Sequence, residues 1–389
     1  MARLWSCGFE LNSVVEVTST AGGPTFVTSP VRSGTYSGRI NNTVKGERFI
    51  YNFKSTNTAD GFYFRFYFLV TAAPAAQTNI FGILDSTPSN KGSVRINTDL
   101  TLELWNNEDN AQVGTDSAAL ALNTWYRIEV KADCTTIGTT ALAALIDGVE
   151  FASGIVNWAN GVDRCTFGHG AADATADYQY DDLAINDDSG SFQNSYPGAG
   201  EIIHLRPNAA GDADAWDLTT TFENIDEVTP DDATTIISSL TSNDVHDVNI
   251  DDTPAALEST DTITCIQVGV RFNESVGTDP DPTFVTRIKA SAAGTVEESG
   301  AITASNTAFA TNAPAVPGNY ALTLYDLPGA STTTWTKADL DTAQIGVRLT
   351  NSPIGLAQVS TLWLLVDHAA AAGGEGLTSG KLQPMGIIW

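Results

Sequence analysis

The dipeptide Asp147-Gly148 sits inside Ala144-Leu145-Ile146-Asp147-Gly148-Val149-Glu150, between two short apolar runs. A tight hairpin turn needs two residues with positive φ, and Asp-Gly supplies both, so this is the strongest short-range hairpin signal a sequence carries. Upstream, Trp125-Tyr126-Arg127-Ile128-Glu129-Val130-Lys131 alternates apolar and polar, as a strand with one wet face does. Downstream, Tyr180-Asp181-Asp182-Leu183-Ala184-Ile185-Asn186-Asp187 reads as a further strand. Four strands in about sixty residues, with no helical period between them, constrain this part of the chain to sheet.

The pattern continues on both sides. Phe62 to Val70 is the most apolar run, dense enough in aromatics for a central strand buried on much of both faces. Asn79-Ile80-Phe81-Gly82-Ile83-Leu84 and Leu100-Thr101-Leu102-Glu103-Leu104-Trp105 follow, separated by turn formers such as Ser86 to Gly92. Phe9-Glu10 and Ser33 to Ile40 read as early strands. Such spacing predicts a sandwich or jelly roll over residues 1–198. Asn186 to Gly198 is rich in turn residues and reads as a linker. Beyond it, Thr262 to Phe272, Phe284 to Ala290 and Tyr320 to Tyr325 alternate as strands, which predicts a second β-sandwich over 199–370. Helix-start chemistry occurs only at Thr336 to Ala343, where a threonine cap predicts one helical turn. Residues 371–389 read as a glycine hinge and an extended C-terminal arm, whose apolar tip holds Pro384, Met385, Ile387, Ile388 and Trp389. Such a tip packs onto its own domain or inserts into a neighbouring subunit; burying it yields a few kcal/mol, less the cost of ordering the hinge.

Charge excludes some functions. The net charge is −27, and residues 200–262 hold 15 acids against one base, Arg206. A field of this sign repels nucleic acid and anionic membranes, and keeps the chain soluble at high local concentration. No run of about eighteen apolar residues offers a membrane span. The start, Met1-Ala2-Arg3-Leu4-Trp5, lacks the apolar stretch of a signal peptide, so folding in a cytoplasm is expected. Cys7, Cys134, Cys165 and Cys265 show no metal-binding spacing; Cys134 and Cys165 are expected as separate buried thiols, although neighbouring strands could bring them together.

The series Trp125-Tyr126-Arg127-Ile128, Ile146-Asp147-Gly148-Val149 and Tyr180-Asp181-Asp182-Leu183-Ala184-Ile185 resembles the concanavalin-like and laminin-G-like jelly roll. That resemblance implies a first strand paired with the last, here Asp182 to Ile185. Proteins of this fold bind sugars, build virus particles and in some cases hydrolyse glycans. A longer series continues through Ser195-Tyr196-Pro197-Gly198, Leu205-Arg206-Pro207-Asn208-Ala209-Ala210-Gly211-Asp212, Asn224-Ile225-Asp226-Glu227 and Trp335 to Arg348. It resembles virion structural proteins of tailed bacteriophages. This implies a non-enzymatic protein of the capsid surface or tail, assembled in the host cytoplasm. Its partners would be copies of itself, with a trimer as one form, and other virion proteins. The alternatives are a glycan-binding host-adsorption module on the particle and, more distantly, a glycoside hydrolase.

A glycosidase needs two carboxylates across the scissile bond. The usual Glu-x-Asp-x-x-Glu strand of jelly-roll glucanases is missing, and Glu223-Asn224-Ile225-Asp226-Glu227 has the wrong spacing and place. Gly168-His169-Gly170 reads as a structural histidine in a turn. No cofactor is expected; calcium stays open, with Asp181-Asp182, Asp187-Asp188 and Asp251-Asp252 as oxygen donors near strand ends and no assignable ligand set. Glycan binding needs exposed aromatic platforms. Trp105, Trp125, Trp158 and Trp216 are the candidates. Trp158, in the polar loop Val156 to Gly161, is the first choice of platform among them, although a core or interface role is the favoured reading of it; Trp125 is expected in the core.

Overall fold

A computed structural model describes residues 2–371, apart from 42–45, 88, 171–173, 175, 217–221, 231, 233–234, 278–279, 306–319, 329–333 and 352–353. Two antiparallel β-sandwiches follow one another along the chain. The first is built from β1 (Arg3–Cys7), β2 (Ser19–Ala21), β3 (Thr25–Val27), β4 (Ser37–Ile40), β5 (Arg48–Asn52), β6 (Gly61–Val70), β7 (Thr78–Leu84) and β8 (Asn90–Ile96). It is completed by β9 (Leu102–Asn106), β10 (Ala111–Val113), β11 (Tyr126–Asp133), β12 (Thr140–Ile146), β13 (Val149–Val156), β14 (Arg164–Gly168) and β15 (Tyr178–Asp187). Sheet I runs β13-β12-β11-β6-β15-β4-β3, with β1 added on β15; sheet II runs β10-β9-β8-β7-β14-β5-β2. This is the jelly-roll sandwich, and β1 does pair with β15. The first strand is Arg3–Cys7, however. Phe9 takes φ +61 and leaves the sheet. At the hairpin, Asp147 and Gly148 hold φ +52 and +83, and Ile146 faces Val149 across β12 and β13.

The core follows from strand alternation. Phe62, Phe64, Phe66, Phe68 and Val70 of β6 all point between the sheets and are fully buried. Phe64, Phe66 and Phe68 meet Phe81, Phe167, Tyr178 and Tyr180 in tilted and edge-on contacts with ring centroids 5.1–5.5 Å apart. All four cysteines are buried free thiols.

The chain crosses to the second sandwich between Asp187 and Glu201. Its strands are β16 (Glu201–Leu205), β17 (Pro207–Asp214), β18 (Ile237–Ser239), β19 (Val245–Ile250), β20 (Thr262–Glu274) and β21 (Thr283–Lys289). They continue with β22 (Glu297–Glu298), β23 (Ile302–Thr303), β24 (Tyr320–Leu324), β25 (Gln344–Leu349) and β26 (Ala357–Ala369). Sheet III is ordered β16-β26-β20-β24 with β18 on β26, and sheet IV is ordered β17-β19-β25-β21-β22 with β23 on β21. The expected turn is present as Lys337–Leu340, closed by a capping box in which Thr336 accepts from the Asp339 amide.

A buried polar seam joins the sandwiches. Arg3 and Arg65 project from the outer face of sheet I onto Asp367 of β26, at 2.8 and 3.1 Å, and all three side chains are essentially solvent-free. Burial pushes the Asp367 carboxyl up, but Arg65 and Arg3 outweigh it and hold it below the usual carboxylate value. Beside them Leu11, Val15, Ile202, Trp363 and Leu365 form a small apolar cluster. The linker lies on the same face, with Tyr196 packed edge-on against Tyr63 and the Gly198 amide donating to Glu129.

Candidate functional site

The outer face of sheet I is used for the seam and linker; the outer face of sheet II carries a different chemistry, half-buried at Trp105, Arg95 and Arg48 and buried at Ser93, Gly82 and Thr166. In β9, Leu102 and Leu104 point inward, so Glu103 and Trp105 point out. In β7 an irregular register between Asn79 and Phe81 lets both Ile80 and Phe81 turn inward, and returns Gly82 to the outer face. Cross-strand pairing then sets one row across the sheet: Gln112, Trp105, Ser93, Gly82, Thr166, Ile50. Strands lie about 4.8 Å apart, so the row from Trp105 to Ile50 spans roughly 19 Å. Its middle members are small. Taller residues stand on both sides, with Glu103, Arg95 and Asn79 along one and Asn90, Leu84 and Arg164 along the other.

The result is a trough with a depression of about 220 Å³ lined by Arg48, Asn79, Gly82, Leu84, Asn90 and Thr166. Its floor requires glycine at position 82: a Cβ there would stand 2.7 Å from Thr166 Oγ1 and 3.0 Å from Asn90 Oδ1. Asn90 Oδ1 is buried and meets no hydrogen-bond partner among the described residues, and the same holds for the indole Nε1 of Trp105. Both atoms are shielded from solvent as the face stands, so a ligand would bond them only after the Asn90 or Trp105 side chain turns. His169 closes one end. Its Nδ1 lies 3.1 Å from Thr78 Oγ1 and its Nε2 3.3 Å from the Ala176 carbonyl, which fixes the ring as part of the wall.

Next to the depression the face is pre-organised. Gln77 donates to Asn97 and Glu103, at 2.8 and 2.7 Å, and Asn97 donates to Glu103 at 3.0 Å. Arg95 donates to Asn107 and Gln77 at 3.1 and 3.3 Å, and its guanidinium lies 4.1 Å above the Trp105 ring. Planar amides, a carboxylate and a guanidinium–indole plate, all held by one another, present fixed donors and acceptors beside an apolar surface.

The residues singled out in the sequence fall elsewhere. Trp158 is not a platform. It is fully buried, packs on Gly92 and donates to Asn106 Oδ1 at 3.0 Å, because the polar loop around it turns the indole inward. Trp216 is buried too, donating to the Asp244 carbonyl. Trp125, expected in the core, is half-buried just before β11. Trp105 alone of the four stands on a polar sheet face, and the Leu102-Glu103-Leu104-Trp105 alternation already held that information. Pro384, Met385, Ile387, Ile388 and Trp389 lie outside the described residues.

Asp181, Asp182 and Asp187 have structural partners. Asp181 accepts from the Arg32 and Ser33 amides, and Asp182 holds the Arg32 guanidinium at 2.5 Å and the Ile202 amide at 2.7 Å. Asp187 binds Lys54. Among the described residues no three His, Cys, Asp or Glu side chains are grouped to hold a metal ion. A second titratable group lies by the seam. Burial raises the Glu16 carboxyl to about 8, and burial with Arg206 nearby holds the His204 imidazole well below its usual value; the two stand 3.5 Å apart.

No family model matches the chain, and no curated protein matches it. Solved structures of similar fold include the cellulose-induced protein Cip1, at 12% identity and TM-score 0.36, over 46% of this chain and 88% of that one. An endo-β-1,4-glucuronan lyase from the fungus Trichoderma reesei is similar at 12% identity and TM-score 0.37, over 49% of this chain and all of the lyase. The receptor-binding domain of a botulinum neurotoxin C/D mosaic serotype is similar at 10% identity and TM-score 0.35, over 47% of each chain. At these identities the likeness concerns the β-sandwich fold alone.

Proposed function

We propose that this protein is a non-catalytic carbohydrate-binding module whose site is the trough on the outer face of sheet II. The observation that carries the reading is the row Trp105, Ser93, Gly82, Thr166 beside the Arg95–Trp105 plate and the mutually fixed Gln77, Asn97 and Glu103 side chains. A sugar chain offers what this surface lacks: hydroxyls that both donate and accept, on rings with an apolar face. The length of the row suits an oligosaccharide rather than a single sugar. Cleavage would need two carboxylates placed across a bond. Glu103 is held by Gln77 and Asn97, so its role is to fix those amides. The test is a glycan microarray probed with the full chain and with Trp105→Ala and Gly82→Val. Binding lost in both variants, with unchanged melting of Trp105→Ala, supports the reading; binding that survives both overturns it.

A second reading places the module on a tailed-phage particle and gives it an assembly role. It rests on the sequence series from Tyr180 to Arg348 and on the ion-paired seam, which suits a rigid spacer. The two readings are compatible, since a particle-borne module can bind host glycans. Mass spectrometry of purified particles tests the assembly role: a fixed copy number supports it, and absence from the particle removes it.

A further inference from the structure

The chain carries 46 acidic against 19 basic residues, and its described bases are nearly all matched. Arg3, Arg32, Arg39, Lys54, Arg65, Lys91, Arg127, Lys131, Arg164, Arg271, Arg287, Lys289, Lys337 and Arg348 each lie within 4.0 Å of a carboxylate. Arg48 is an exception, and it lines the trough. Its Nη1 donates to the Gly46 carbonyl at 2.9 Å, and no carboxylate reaches its guanidinium among the described residues. The neighbouring Glu47 faces away, buried and accepting from the Asn41 amide. A guanidinium is a planar fork whose geometry matches a carboxylate, and in an acid-rich protein such a group is readily paired internally. Here the fork is left at the edge of a cavity that also holds an orphaned acceptor, Asn90 Oδ1, and the Thr166 hydroxyl.

We infer that the trough selects acidic oligosaccharides, and that a uronate carboxylate on the sugar ring docks on Arg48 while ring hydroxyls meet Asn90 and Thr166. The inference rests on the carbohydrate reading above and narrows it to a ligand class. It also answers a problem that the net charge of −27 creates. An anionic chain is repelled at long range, so selection must come from a local cation at close contact.

Isothermal titration of the full chain with oligogalacturonate, oligoglucuronate and oligomannuronate, each beside its methyl ester, tests this directly. Esterification removes the charge and keeps the backbone. The free acid of at least one pair is expected to bind roughly ten- to a hundred-fold more tightly than its ester, the range for a charge-assisted hydrogen bond. Arg48→Gln is expected to bring the affinity for the acid down to that for its ester, and Arg48→Lys to keep only part of the difference. Acids and esters bound alike, or neutral glycans bound with these acids ignored, overturn the inference and leave the carbohydrate reading intact. Tighter binding of sulfated glycans than of uronates also overturns it, since the fork would then be reading a tetrahedral anion. No binding to any glycan on a microarray removes both.

Discussion

Asp367→Asn keeps the shape of the side chain and deletes the carboxylate that Arg3 and Arg65 share. Both arginines are solvent-free, so the variant leaves two guanidinium charges facing a neutral amide in a region water does not reach. Breaking a buried pair from one side costs about 3–5 kcal/mol, because the remaining charge keeps its desolvation penalty. Part of that is offset here. Arg3 retains Asn186 and Ser6, at 2.5 and 2.9 Å, and Arg65 retains the Asp182 carbonyl at 3.1 Å. A loss of about 3 kcal/mol is therefore expected. Since Asp367 belongs to the second sandwich and both arginines to the first, the loss falls on their coupling. Urea unfolding followed by tryptophan fluorescence and far-ultraviolet circular dichroism should show one coincident transition in the parent and two separated transitions in the variant. The triple variant Arg3→Met, Arg65→Met, Asp367→Leu should recover most of the loss, because replacing a whole buried ionic cluster by apolar side chains is often close to neutral. A loss below about 1 kcal/mol for Asp367→Asn, with the transitions still coincident, would refute the view that this cluster holds the sandwiches together.

Other outcomes follow from the same geometry. Trp158→Ala should cost about 3–5 kcal/mol in chemical denaturation, as a core indole does, whereas Trp105→Ala should cost under about 1 kcal/mol. Glu16 is favoured in its neutral form by burial, with a folded value of about 8 against 4.5 unfolded. Its contribution is complete below about pH 4.5 and is lost as pH rises towards 8, at up to about 1.4 kcal/mol per pH unit. Glu16→Gln should remove most of that slope between pH 5 and 8, read from the urea midpoint. His204 is the reverse case, since burial favours its neutral form. Stability should fall as pH drops below its usual value, and His204→Gln should lessen that fall.

What could be read in the sequence was whatever has a local signature. The Asp147-Gly148 turn, the β6 run of aromatics and the Thr336 cap each depend on residues within a few positions of one another, and the structure shows each of them. The seam had no such signature, because Arg3 and Arg65 meet Asp367 across 364 and 302 positions. The polar loop left Trp158 open between platform and core, because loop polarity describes neighbours, not the direction of a side chain; Asn106, which accepts from its indole, lies 52 positions away. The trough sits between these cases. The parity of Leu102-Glu103-Leu104-Trp105 was visible, but the register that sets Trp105 beside Ser93, then Gly82, then Thr166 depends on a bulge in β7 that alternation alone does not give.

Hydrogen exchange of the full chain, with and without a glycan that binds it, locates the bound sugar. Slowed exchange is expected in peptides covering β7, β8 and β14, where a chain lying across Gly82 would bridge the strands, with no change in β20 or β26. Protection confined to the second sandwich, or none in β7, β8 and β14 at saturating glycan, would contradict that placement.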